Sequence, residues 1–172
     1  MSLPAAATND PHLMKILAFV EEIGLGIEQR SLPDDTFLPG LELGPGRIHV
    51  DFDKLLYPGD ILHEAGHLAV TTSAQRAAVG SASLELPWPT EGEEIVAILW
   101  SYAAALHLQV PLNYLFHPNG YKGNSNWLLE TFASGNFIGL PLLEWMGLTF
   151  SPEKAQQAQQ EPFPVMRKWL RD

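Results

Sequence analysis

Apolar positions along the chain fall into two periodicities. Residues 11 to 23, PHLMKILAFVEEI, place Leu13, Ile16, Leu17 and Val20 at helical spacing, which predicts a first helix ended by Gly24 and Gly26. A loop rich in Pro, Asp and Gly follows. Two short strands are expected near 36–43 and 47–52, split by Gly44-Pro45-Gly46, because Arg47-Ile48-His49-Val50-Asp51-Phe52 alternates polar and apolar side chains. The turn signal Tyr57-Pro58-Gly59-Asp60 comes next, with Asp60 placed to cap a helix running into the low seventies.

After a Ser-, Pro- and Glu-rich loop from Gly80 to Gly92, the run EEIVAILWSYAAALHL, residues 93 to 108, predicts a strongly apolar helix that Pro111 stops. HPNGYKGNSN, residues 117 to 126, reads as a loop, and residues 127 to 139 as a helix weakened by Gly135. Ser151-Pro152-Glu153 supplies a cap, first position and first-turn acid for a short surface helix over KAQQAQQ. Beyond Pro162 and Pro164, VMRKWLRD is expected to form a last helix that docks by Val165, Met166, Trp169 and Leu170. The sum is an α+β fold: one predominantly helical domain over residues 1–172 with a small β-sheet.

Composition narrows the function classes. The chain has 172 residues, 46% of them apolar, enough for one sizeable core. No apolar run is long enough to span a bilayer, and MSLPAAATND lacks the basic and apolar regions of a secretory signal, so a cytoplasmic protein is expected. A net charge of −10 without any Lys/Arg cluster argues against nucleic acid as a partner. There are no cysteines, so any metal must be held by His, Asp, Glu or water.

The chemistry concentrates in ILHEAGHLAV, residues 61 to 70. On a helix His63 and His67, four apart, share a face and can chelate one ion, and neutral imidazole suits zinc. Glu64, beside the first imidazole, can act as general base on a zinc-bound water without ligating the metal, the H-E-x-x-H arrangement of a metallohydrolase. The bland alternative is a pair of hydrogen-bonded histidines on an amphipathic helix. Ala65 and Gly66 permit close approach of a second segment, and Gly66 costs about 1 kcal/mol relative to Ala inside a helix.

A catalytic zinc usually has three protein ligands. No further His occurs until His107, so the third must come from elsewhere. The candidates are Glu91, Glu93, Glu94, His107 and His117. Helix geometry puts Glu94, Ala97, Ser101 and Ala105 in one narrow small-residued stripe, suited to packing on the Ala65-Gly66 face. Glu94 is therefore the expected ligand, with Glu93 and His117 as alternatives, while His107 falls on another face.

The segment GRIHVDFDKLLYPGDILHEAGHLAV, residues 46 to 70, followed by the Glu-headed, Ala-rich EEIVAILWSYAAALHL, resembles the zincin metallopeptidases. The layout is similar to the gluzincin branch and to small ImmA/IrrE-type zincins. That resemblance implies a zincin-like fold, zinc on His63, His67 and a helix Glu, Glu64 as base, and a peptide or protein substrate. Tyr102, Tyr114, Tyr121 and His117 are candidates for stabilising an oxyanion, and the strand at 47–52 for pairing with a substrate strand. Trp88 and Trp127 lie near loops where they can line a binding surface. Two other readings stay open. One is a non-catalytic zincin-like binding or regulatory module. The other is a plain helical interaction protein in which HEAGH is coincidence.

Overall fold

A computed structural model describes residues 8–172. Helix α1 (Pro11–Glu22) starts where the Asp10 carboxylate accepts the His12 and Leu13 amides, and it buries Leu13, Ile16, Leu17, Phe19 and Val20. Three four-residue strands follow: β1 (Gly26–Gln29), β2 (Leu41–Gly44) and β3 (Arg47–Val50). They form one sheet in the order β1-β3-β2. β3 runs parallel to β1, with Ile48 opposite Ile27, and antiparallel to β2, with His49 opposite Glu42. The β2–β3 hairpin turns through Pro45-Gly46, where Gly46 takes φ 64°, a conformation that a side chain disfavours.

The sequence-based expectation missed β1, which reads as loop because it is only Gly-Ile-Glu-Gln. β3 is also the central strand, paired on both sides. Its backbone groups are used up within the sheet, so it cannot take a substrate strand.

The site depends on two helices, α2 (Asp60–Val70) and α4 (Glu91–Leu108), joined through α3 (Ser73–Ala78) and an irregular loop. α4 is the core helix: Val96, Ala97, Leu99, Trp100, Ala103, Ala104 and Ala105 are all buried. It lies against α2, whose Ile61, Leu62, Ala65, Leu68, Ala69 and Val70 are also buried. Gly66 makes this approach possible. A Cβ there would stand 2.7 Å from the Ala97 carbonyl oxygen and 3.3 Å from the Trp100 ring. The small-residue stripe on α4 thus does what its spacing implies.

Past α4 come α5 (Leu112–Leu115), a 3₁₀ turn at Tyr121–Gly123, α6 (Ser125–Ala133), α7 (Leu140–Trp145) and α8 (Pro152–Ala158), the last capped by Ser151. The helix expected over 127–139 ends at Ala133, and Gly135 at φ 78° turns the chain. The last segment is not helical. Its backbone is spent on other parts of the chain: Arg167 N–H donates to Leu148 O, Val165 O accepts the Thr149 hydroxyl, and Arg171 N–H donates to Ala69 O. Met166, Trp169 and Leu170 still pack on the core as their apolar spacing suggested, but Val165 is exposed. No helix among the described residues is long and apolar enough to cross a membrane.

Candidate metal centre

His63 and His67 project from α2 one turn apart, and their Nε2 atoms lie 3.1 Å from each other. Glu94, in the first turn of α4, reaches across: Oε2 is 3.2 Å from His67 Nε2 and Oε1 is 3.5 Å from His63 Nε2. These three side chains can hold a metal ion. Ligand atoms around one four-coordinate ion with bonds near 2.0 Å stand about 3.3 Å apart, the edge of that tetrahedron. The separation of the two imidazole nitrogens is close to this value, and each of them has a different Glu94 oxygen at a similar distance. The donor set, two imidazoles and a carboxylate, is one that divalent transition metals accept.

The reason Glu94 and not Glu93 faces the histidines is local. α4 begins at Glu91 with Thr90 as N-cap, two residues earlier than the sequence reading placed it. Thr90 Oγ1 accepts the Glu93 amide, and Glu93 Oε2 accepts the Thr90 amide at 2.8 Å. This capping box consumes Glu93. The Thr90-x-x-Glu93 signature is present in the sequence and would have found it. His117, the other alternative ligand, is buried on Asp60, its Nε2 2.9 Å from Asp60 Oδ1 and its ring stacked on Tyr57. His107 lies exposed at the far end of α4 beside Phe19 and Trp169. Asp60 is not the helix cap: Gly59 holds that position and Asp60 is the first helical residue. The Asp60–His117 pair joins residues far apart in the chain, so no local pattern announced it.

Electrostatics separate the titratable groups. Burial, reinforced by His67 and opposed by Glu94, pushes His63 down to about 3, which favours the neutral imidazole. For His67, burial pulls down, but the hydrogen bond to Glu94 and the nearby Glu64 carboxyl raise it above its ordinary value. The same hydrogen bond, against burial, lowers Glu94, helped by His63 and by Lys122. Burial lifts Glu64 to about 7; His67 opposes this and Asp60 and Glu94 add to it. The Nδ1 atoms of both histidines are buried and have no protein hydrogen-bond partner.

Neighbouring contacts fix the C-terminal end of α2. The Thr71 hydroxyl donates to His67 O at 2.6 Å and accepts Trp88 Nε1–H at 3.0 Å. Trp88 thus secures the His67 turn. A cavity of about 680 Å³ opens beside the centre, with His63, Glu94, Asp60, His117, Tyr57 and Tyr121 on its wall. Glu64 and His67 are not part of that lining. Trp127 lines it and is half-exposed. Of the side chains expected to assist an oxyanion, Tyr121 and His117 reach the cavity wall, whereas Tyr114 donates to Asp10 at 2.6 Å and Tyr102 sits among Phe132, Phe137 and Phe163. Burial, with Asp60, Glu94 and Glu64 around it, raises the Tyr121 phenol well above its ordinary value, so it remains a donor. Neither protein-family models, curated proteins nor solved structures provide a match to this chain.

Proposed function

We propose that the chain is a zinc-dependent hydrolase with a zincin-like site, acting on peptide or related amide bonds. The observation that supports this best is the convergence of His63 Nε2, His67 Nε2 and the Glu94 carboxylate within 3.5 Å of one another, with His63 and Glu94 facing an open cavity. His63, His67 and Glu94 would hold the ion. Zinc held there supplies Lewis acidity, which polarises a carbonyl and lowers the pKa of water.

The protein's own groups account for the remainder. Glu64, half-buried and lifted to about 7, has the proton affinity of a general base working near neutrality. It takes a proton from the attacking water and returns it to the leaving amine. Tyr121, kept protonated, lines the cavity with its ring 5.2 Å from that of His63 and its hydroxyl buried; it would serve as a neutral donor to developing charge on turning that hydroxyl toward the cavity. The open cavity supports this reading over a closed, purely structural site, where the ligands would be sealed from substrate.

The test is zinc content by elemental analysis of untagged protein, followed by peptide turnover. One zinc per chain, lost in His63→Ala, is expected, with Glu64→Gln retaining metal and losing turnover by at least about a hundredfold. Protein that stays metal-free after zinc is added back, or full turnover in Glu64→Gln, would overturn the reading.

A further inference from the structure

The cavity wall carries two chemically different sets of residues. One includes His63 and Glu94. The other is apolar: Leu38, Ile95, Ile98, Trp127, Leu128 and Phe132. The cavity volume, about 680 Å³, is that of a small-molecule site. Among the described residues lining it, Lys122 is the one Lys or Arg. In a protein of net charge −10, this ammonium is the fixed positive charge that the wall can set against an anion.

The backbone holds Lys122 in its place at this wall. Tyr121 and Lys122 both take φ 53°, and Gly123 follows at φ 81°. Two successive non-glycine residues in the left-handed region are disfavoured and persist only when their surroundings hold them there. Tyr121 is held by its ring, 5.2 Å from His63 and 5.0 Å from Phe116. That anchor brings the next residue, Lys122, to the cavity. Lys122 acts on Glu94 through space, yet has no ion-pair partner among the described residues. The ammonium therefore remains free for a ligand.

We infer that the cavity recognises an apolar amino acid with a free carboxylate, at the end of a peptide or on a simple acyl group, Lys122 pairing with the carboxylate and the apolar residues around Trp127 taking the side chain. The inference names the substrate class of the site proposed above and rests on that reading for the reaction itself. In that reaction the amide C–N bond breaks. Water's oxygen bonds to the carbonyl carbon, one proton goes to the leaving nitrogen, and the products are an acid and the free amino acid.

Equilibrium binding to the zinc-supplemented full chain in the Glu64→Gln background, where no probe is consumed, tests the recognition apart from turnover. The probes are N-acetyl-phenylalanine, N-acetyl-phenylalaninamide and N-acetyl-alanine. The acid is expected to bind about tenfold tighter than the amide, through one charge-assisted contact. It should also bind tighter than the alanine probe, and the preference over the amide should disappear in Lys122→Met. Equal binding of acid and amide, or no binding of either, overturns the inference. A preference that survives in Lys122→Met also overturns it, because the carboxylate would then be held elsewhere, as on the metal. Cleavage of N-benzoyl-glycyl-phenylalanine and of N-acetyl-phenylalanine by the unsubstituted chain is followed in parallel and separates peptide from simple acyl donors. A Lys122-dependent preference without any cleavage would uphold the recognition and sink the hydrolase reading.

Discussion

Gly66 on α2 faces the carbonyl of Ala97 on α4 so closely that a Cβ would stand 2.7 Å from the oxygen. This contact sets the distance between the helix that bears His63 and His67 and the helix that bears Glu94. Gly66→Ala therefore has opposing effects. Helix propensity would add up to about 1 kcal/mol, but overpacking against fixed backbone costs roughly 1–3 kcal/mol. The expected outcome is net destabilisation in urea unfolding and weaker zinc binding. A more stable Gly66→Ala protein would show that the two helices can part without consequence.

Adjacent glutamates in α4 are expected to behave as different kinds of residue. Glu93→Ala removes half of a capping box and should cost about 0.5–2 kcal/mol of stability while zinc stays bound. Glu94→Ala should do the reverse, with metal lost and the fold kept. Zinc content and urea midpoints on the two variants decide the matter, and metal lost from Glu93→Ala alone would exchange the assignments.

The Asp60–His117 pair is buried on both sides, and burial raises Asp60 above its ordinary value against the pull of His117. Asp60→Ala would leave His117 Nε2 without its partner, a cost of about 1–3 kcal/mol. Asp60→Asn keeps an acceptor and should lose less. Equal losses in denaturant unfolding would mean that the pair adds nothing beyond packing.

Acid sensitivity should have an identifiable contributor in Glu144. Hydrogen bonds from Ser151, with Lys154 3.0 Å away, hold its carboxyl at about 2. The folded value lies below the unfolded one of about 4.3, so the stabilisation is present above that pH and is lost as pH falls toward 2. Glu144→Gln should be less stable than the parent at pH 6, with the gap closing by pH 2. A gap that does not change with pH, measured by urea unfolding, would remove Glu144 from the account.

How far the sequence speaks for itself depends on the range of the forces involved. Local rules did well: Leu13, Ile16, Leu17 and Val20 are buried as their spacing requires, and Ser151 caps its helix. The stripe through Glu94 and Ala97 singled out the residue that meets the histidines, since helical phase aims it at α2 and the Thr90 capping box engages Glu93. The C-terminal helix failed because Met166, Trp169 and Leu170 suit a helix by spacing while the backbone of the segment is bonded elsewhere: Arg167 N–H to Leu148 O, Arg171 N–H to Ala69 O, and Trp169 O to the Trp100 indole N–H. β1 gained its identity from pairing with β3, and His117 from meeting Asp60, events that no short window of sequence contains.

Glu94 stands in the opening turn of α4, where the residues are solvated, whereas the stretch from Val96 to Ala105 is largely buried. An ion shared with α2 would tie down this less buried opening turn and leave the packed remainder as it was. Amide hydrogen exchange should then slow on loading at Glu94 and its immediate neighbours, and hardly at all around Ala103. The site would thus report its own occupancy through the breathing of a single helical turn.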